Sequence, residues 1–337
     1  ILVRSGEKAE YEKTIDKYTY NKNMPAYINV VEETNPKGTG GWIVHNLDKL
    51  DDCFLTVNAD TVYTENIYRF IGHHTVLDTS MILINKKNPD RKDTGSVNID
   101  KEGRVTSFEE KNSEMQSVYE SAGIYLFRKR DFESMSFEKD NISLEHSVLP
   151  KLVLNKSLCS GILRQTPHDY GTEERLSMTK SKLINFAPSW LFVDRDNTLT
   201  DDAEGYSHDY QLLRRIKILD PILRGYQDYG YFISIVTNQS GVGRGYFTVS
   251  QMNEYNLKLT DLLLKEGIFI NNIEFCPHVP TDECKCRKPK TGMLEEVDKN
   301  YGINKETSIM IGDSEVDSLC AKNFGLDFLK FSQTNQR

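Results

Sequence analysis

Four short stretches carry side chains that could act on a phosphate. They read Asp194-Arg195-Asp196-Asn197-Thr198, then Thr237-Asn238, then Arg287-Lys288-Pro289, then Gly312-Asp313 with Asp317 beyond. Two carboxylates spaced i, i+2 at a strand tip enter one site if the chain turns sharply there. One can attack while the other exchanges protons, provided their surroundings differ. A threonine hydroxyl and a lysine would hold a phosphoryl group, and the later aspartates would complete an oxygen-rich Mg²⁺ site. Mg²⁺ and Lys288 would offset the repulsion between an anionic phosphate and an anionic nucleophile.

A second cluster implies different chemistry. Cys276-x-His278 and Cys284-x-Cys286 supply four soft or borderline ligands from one loop, a complete set for tetrahedral Zn²⁺ with no open position. A redox pair fits less well, because Cys-x-Cys lacks the usual two-residue spacer. The metal would be structural, stiffening the loop that carries Arg287 and Lys288. Cys53, Cys159 and Cys320 read as simple core cysteines.

The elements that must position these groups are legible as alternating patterns. "SWLFVD", "YFISIVTN", "NNIEFC" and "SIMIGD" are short apolar runs of the kind that become buried parallel strands. Between them, "DPILRGYQDYG" reads as a helix with Asp220 as N-cap, Pro221 at the first position and Gly230 as stop. "SQMNEYNLKLTDLLLKEG" reads as a helix from Ser250 to Gly267. Such alternation implies a parallel sheet with ligands at the strand C-terminal ends, which is where the four phosphate-handling stretches fall.

Together these stretches resemble the haloacid dehalogenase superfamily of phosphatases, over nearly all of residues 188–330. The resemblance implies that Asp194 forms an aspartyl-phosphate and that Asp196 is general acid, then base. It implies that Thr237 and Lys288 bind the transferring phosphoryl group. Asp194, Asp313 and the main-chain carbonyl of Asp196 would ligate Mg²⁺, with Asp317 as a second-shell or water-mediated ligand. Thr237 lies 43 residues after Asp194, and Lys288 lies 51 after Thr237, so neither gap can hold a full cap domain and the site should be open.

With "TNQSGVGRGYF", the cysteine loop makes this half look like the D-glycero-D-manno-heptose 1,7-bisphosphate 7-phosphatases, whose sister branch is histidinol-phosphate phosphatase. That resemblance makes Asn238, Ser240, Arg244 and Arg287 contacts to the substrate or its second phosphate. Asn197 stands where the family usually has Gly, and Thr291 where Pro is common; neither change removes a functional group.

The first half carries a different set. "YINVVEETNPKGTGGWIV" is a strand, a glycine-rich turn and a helix-like segment, and "CFLTVNADT" is an apolar strand delivering Asp60 at its tip. Further on, "VTSFEEKN" and "SAGIYLFRK" lead to "HDYGTEER", with Asp169 before a turn. Two carboxylates from separate segments suit a Mg²⁺ shared with substrate phosphates. In this order the pieces resemble sugar-1-phosphate nucleotidyltransferases of the glucose-1-phosphate thymidylyltransferase and mannose-1-phosphate guanylyltransferase type, over about residues 1–180. The resemblance makes Asp60 and Asp169 metal ligands and brings Gly40 and Gly41 to the nucleotide. It sets Glu110 and Lys111 on the sugar phosphate and Gly123 against the sugar. The family opens with a glycine-rich, arginine-bearing loop and a lysine–proline motif that grip the triphosphate. The chain begins after both, so transferase activity is not expected of these 337 residues alone.

The expected architecture is therefore α/β, with two Rossmann-like domains and mainly parallel sheets. A nucleotidyltransferase-like domain would span 1–185, and a capless haloacid dehalogenase-like phosphatase domain 186–337. A net charge of −8 gives no basic footprint for nucleic acid or an anionic membrane. No run approaches roughly 18 apolar residues, and "ILVRSGEKAEYEK" is not built like a signal peptide. A reducing cytoplasm is the expected setting, where clustered cysteines favour metal over disulfide. The implied partners are a phosphorylated sugar and a nucleoside triphosphate, taken as GTP; a homo-oligomer is compatible with the sequence. Consecutive steps of nucleotide-activated heptose synthesis for surface polysaccharide would join the two halves. The competing readings are a histidinol-phosphate phosphatase, a mannose-1-phosphate guanylyltransferase for the first half, and a first half that only binds sugar nucleotide or dimerises.

Overall fold

The structure is a computed structural model describing residues 1–19, 29–88, 94–110, 117–184, 186–202 and 205–332. The chain divides into two compact units, Ile1–Ala59 with Thr79–Thr166, and Asp60–Asp78 with Pro167–Arg337.

In the first unit one sheet is built from β1 (Cys53–Val57), β2 (Ser80–Lys86), β3 (Ser96–Ile99), β4 (Val105–Glu109), β5 (Tyr119–Arg128) and β6 (Leu158–Ile162). Its order is β4-β3-β5-β2-β6, with β1 paired to the second half of β5. Ile82, Ile84, Phe127, Leu149 and Leu152 are fully buried in its core. Within this sheet, among the described residues, only β2 and β6 run parallel; the other pairs are antiparallel. The links from β3 to β4 and from β4 to β5 are too short for a parallel crossover, so this sheet is mixed, beside the fully parallel sheet of the second unit. Cys53 lies exposed on β1 instead of in the core, whereas Cys159 and Cys320 are buried.

In the second unit β7 (Trp190–Val193), β8 (Phe232–Asn238), β9 (Asn272–Cys276), β10 (Ile309–Gly312) and β11 (Asp327–Lys330) form a fully parallel sheet in the order β9-β8-β7-β10-β11. Successive side chains alternate faces. Trp190 and Phe192 join Leu294, Val297 and Phe324 on one side, while Leu191 and Val193 join Leu223, Leu259 and Leu263 on the other. Helices cover both faces, which is why the strands are apolar throughout. Among the described residues no second sheet is inserted between β7 and β10.

The covering helices are α1 (Arg69–Leu77), α2 (Asp220–Asp228), α3 (Val249–Lys265), α4 (Gly292–Tyr301) and α5 (Glu315–Phe324). Two expected helix starts shift. Asp220 is the first residue of α2, not its cap; Leu219 is the cap, and the Asp220 carboxylate pairs with Arg215. The cap of α3 is Thr248, which forms a capping box with Gln251, two residues before the expected Ser250. The segment bearing α1 belongs to this unit. Asn66 Nδ2 donates to Tyr231 O at 2.7 Å, and Tyr68 stacks on Phe269 with ring centroids 5.0 Å apart. Gly72 faces Gly267 so closely that a Cβ would press on the Gly267 carbonyl. Among the described residues no helix is long and apolar enough to cross a membrane.

Candidate functional site

The second unit's site begins where β7 ends. Asp194 N donates to Ile311 O at 2.9 Å, holding the Asp194 main chain level with β10. Arg195 O then accepts from Leu199 N at 2.8 Å and from Thr200 N at 3.0 Å, a tight turn that sends the next carboxylate back towards the first. Asn197 sits in that turn at φ +59°, a left-handed conformation that glycine adopts freely and asparagine tolerates. This accounts for the substitution noted in the sequence.

Lys288 arrives from the β9–α4 loop. Its Nζ lies 2.5 Å from Asp194 Oδ1 and donates to Val236 O at 2.8 Å. It also stands 2.6 Å from Asp317 Oδ1. Asp317 Oδ2 is held in turn by the Ser314 hydroxyl at 2.5 Å. Burial pushes the Asp194 carboxyl up to about 7, with Lys288 opposing the shift and Asp317 and Asp196 adding to it. Burial alone would lower the Lys288 ammonium, but the Asp194 and Asp317 carboxylates outweigh it and raise the pKa. Asp313 is raised by burial and then by the Asp317 charge.

The ligand atoms of Asp194, Asp313 and Asp317 lie within 4.8 Å of one another. Three buried or half-buried carboxylates converging with only the Lys288 cation among them fit a small divalent cation with oxygen ligands. The cysteine loop is equally converged. Cys276 Sγ is 3.6 Å from Cys284 Sγ and 3.2 Å from Cys286 Sγ, Cys284 and Cys286 are 3.5 Å apart, and His278 Nδ1 is 3.2 Å from Cys286 Sγ. These separations are too long for a disulfide of about 2.05 Å. They approach the ~3.8 Å edge of a tetrahedron with metal–sulfur bonds of about 2.3 Å, so four donors fit Zn²⁺.

Asp194, Asp196, Thr237, Asn238, Arg287, Lys288 and Asp317 line one cleft of about 390 Å³. Ser240 and Arg244 do not line it; Arg244 is exposed. The Asn238 amide is engaged with main chain: Nδ2 donates to Lys288 O at 3.1 Å and Oδ1 accepts from Lys288 N at 3.0 Å. It fixes the lysine loop, a contact the sequence reading did not foresee. Two further residues escaped that reading. Arg195, fully buried, grips the Asp196 carboxylate, and Gln239 bridges Asp196 and Thr237.

The first-half residues fall in both units. In the first, Gly40 N donates to Ile142 O at 2.9 Å, and Cβ atoms on Gly40 and Gly41 would meet Leu144 and Lys37. Gly123 is at φ +73°, where a side chain would strike Asn58, and the Glu110 carboxylate lies beside Gly95. Lys111 lies outside the described residues. In the second unit, Thr61–Val62 pairs with His168–Asp169, and the Asp60 and Asp169 carboxylates both approach the open side of Gly171, at 3.2 and 3.3 Å from where its Cβ would be. Arg175 Nη1 donates to Asp169 Oδ2 at 2.9 Å.

Fold and site thus define a haloacid dehalogenase-type phosphatase preceded by a nucleotidyltransferase domain. The family model for nucleotidyl transferases matches residues 6–179, and that for polynucleotide kinase 3 phosphatase matches 190–334. A "Probable D-glycero-D-manno-heptose-1,7-bisphosphate 7-phosphatase" of Thermoplasma volcanium is 45% identical over 139 residues, which is 41% of this chain and 94% of that protein. The D-glycero-beta-D-manno-heptose-1,7-bisphosphate 7-phosphatase of Haemophilus ducreyi is 38% identical over 144 residues, 40% of this chain and 78% of that protein. The histidine biosynthesis bifunctional protein HisB of Legionella pneumophila is 37% identical over 148 residues, 43% of this chain but 42% of that protein. The chain therefore belongs to the nucleotidyl transferase family in its first part and to the heptose-bisphosphate phosphatase family in its second.

Proposed function

We propose that the phosphatase removes the 7-phosphate of D-glycero-D-manno-heptose 1,7-bisphosphate with Mg²⁺, and that the first part, residues 1–185, is a heptose-1-phosphate guanylyltransferase domain using GTP. The observation that carries the phosphatase half is the convergence of Asp194, Lys288, Asp313 and Asp317 at the ends of parallel strands, with Asp196 beside them. In this reading an Asp194 oxygen attacks phosphorus as the bond to the sugar oxygen breaks, and Asp196 gives its proton to the departing oxygen. Asp196 then takes a proton from the water that attacks the aspartyl-phosphate, freeing Asp194 and inorganic phosphate. Thr237 and Lys288 hold the phosphoryl oxygens. Asp194, Asp313 and the Asp196 main-chain carbonyl would hold Mg²⁺, with Asp317 behind them. When bound, Mg²⁺ supplies positive charge to the nucleophile and the phosphoryl group. Arg287, at the cleft wall, is the contact to the second phosphate; Ser240 and Arg244 would join it from the adjacent turn.

The guanylyltransferase assignment rests on the sequence resemblance and on chemical succession, since the phosphatase product is a sugar 1-phosphate. Here Gly40, Gly41, Glu110, Lys111 and Gly123 would bind nucleotide and sugar phosphate, and Asp60 and Asp169 would hold Mg²⁺. The test is ³¹P NMR of the heptose 1,7-bisphosphate with this chain and Mg²⁺. Loss of the 7-phosphate signal with the 1-phosphate intact supports the reading. An unchanged spectrum, with histidinol phosphate hydrolysed instead, moves the protein to the sister branch, which the HisB likeness keeps in view. Titration with GTP, UTP and dTTP by calorimetry tests the base; equal affinities would sink the GTP assignment.

A further inference from the structure

We infer that Arg195 and Gln239 are positioning residues for the proton-transferring carboxylate of Asp196, holding it from two sides in the orientation in which it serves substrate and water. The inference rests on the acid–base reading of Asp196 given above. Arg195 is fully buried, and its guanidinium reaches three separate parts of the unit. Nε donates to Asp196 Oδ1 at 2.9 Å and Nη2 to Asp196 Oδ2 at 3.2 Å, with Nη2 also 2.9 Å from Oδ1. Nη2 also donates to Ser207 O at 2.9 Å, and Nη1 to Asn256 Oδ1 on α3 at 2.9 Å. Its plane lies over Tyr255, with Cζ 4.7 Å from the ring centroid. A buried guanidinium with this many partners cannot be replaced by the point charge of a lysine.

Gln239 approaches from the other side. Its main-chain N donates to Cys276 O at 2.7 Å, which pins it to the strand that ends in a zinc-loop cysteine. Its Nε2 donates to Asp196 Oδ2 at 2.6 Å and to Thr237 Oγ1 at 2.8 Å. Thr237 Oγ1 in turn reaches Asp196 Oδ2 at 3.3 Å. Both carboxylate oxygens are thus held: Oδ1 lies against the guanidinium fork, and Oδ2 accepts from Gln239, Thr237 and the edge of the same fork.

Leaving-group chemistry separates positioning of the acid from damage to the fold. An alkyl phosphate needs a proton on its departing oxygen; p-nitrophenolate does not. We would compare the zinc- and Mg²⁺-loaded full chain with Asp196→Asn, Arg195→Lys and Gln239→Met, using heptose bisphosphate and p-nitrophenyl phosphate. In both clamp variants kcat on the alkyl substrate should fall on the order of 10²-fold, the range seen for loss of a general acid, with KM within about threefold. With p-nitrophenyl phosphate, the first-turnover burst of nitrophenolate should keep its parent rate, and the steady state should slow, because Asp196 also serves the hydrolytic half. Asp196→Asn is the reference and should show the same pattern. If Asp196→Asn shows it and the clamp variants lose burst and alkyl turnover equally, or keep parent kinetics, the inference is overturned. If Asp196→Asn itself shows no leaving-group dependence, the acid–base reading falls and takes the inference with it. Gln239→Met keeps the test decisive should Arg195→Lys fail to fold.

Discussion

Lys288 Nζ lies 2.5 Å from Asp194 Oδ1 and 2.6 Å from Asp317 Oδ1, with all three side chains buried. One cation thus answers two carboxylates, with a third, Asp313, close by. Removing a partner from a buried ion pair leaves uncompensated charge and costs about 3–5 kcal/mol. Asp194→Asn instead removes one negative charge and keeps the shape. We expect no phosphatase turnover from either Lys288→Met or Asp194→Asn, a lowered Tm for the lysine variant, and an unchanged or raised Tm for the aspartate variant. Calorimetry of the two proteins decides it. A Lys288→Met protein as stable as its parent would show that the pair does not hold the site together.

The same carboxyl makes a pH prediction. Burial lifts Asp194 to about 7, against the pull of Lys288. A carboxyl raised above its unfolded value stabilises the fold fully below that unfolded value, and the contribution is lost as pH rises through the folded one. The window runs from about pH 4 to about 7. Without divalent cations, the Tm of Asp194→Asn relative to its parent should be near zero difference at the acid end and grow across that window. A constant difference would mean that Asp194 is not titrating there.

The cysteine loop, if it holds Zn²⁺ as its four donors allow, predicts a second linkage. Cys276 is raised by burial and then by its contact with Cys286, and Cys286 is raised by burial first. Metal binding must displace those protons, so Zn²⁺ affinity should fall as pH falls. Cys284→Ser should lose bound zinc and lower the Tm, by about 2–4 °C for each kcal/mol lost at this domain size. Zinc released on thiol modification gives the count. A parent protein with no bound zinc, or a variant with an unchanged Tm, would argue against a structural metal.

What could be read from sequence follows from how local each feature is. The convergence of Asp194, Asp313, Asp317 and Lys288 was legible because parallel α/β strands deliver residues at their tips, and that of Cys276, His278, Cys284 and Cys286 because they share one loop. Arg195 and Gln239 were not, since their meaning depends on Asn256, 61 residues from Arg195, and on the 43-residue separation of Gln239 from Asp196. The antiparallel pairs of the first sheet were not legible, because short apolar runs carry no direction; only the connection lengths do. The N-caps of α2 and α3 shifted because Asp220 was claimed by Arg215 and because Thr248 had Gln251 at the reciprocal position. The membership of Asp60–Asp78 in the second unit depends on Asn66 and Tyr231, 165 residues apart, and no periodicity reports such a contact.

That last contact makes the final prediction. Helix α1 meets the phosphatase backbone at Gly72, whose missing side chain lets the Gly267 carbonyl approach, while Tyr68 stacks on Phe269 and His73 Nε2 lies 3.0 Å from Asp228 Oδ1. A methyl group at position 72 must push helix and carbonyl apart, and such overpacking costs typically about 1–3 kcal/mol. Gly is itself a poor helix residue, so on an unpacked surface the change to Ala would stabilise by about 1 kcal/mol. The two effects have opposite signs, which makes Gly72→Ala diagnostic. We expect a lower Tm and faster amide exchange in α1, with kcat for phosphate release unaltered because α1 lines no part of the cleft. A raised Tm would mean that α1 is not seated against Gly267.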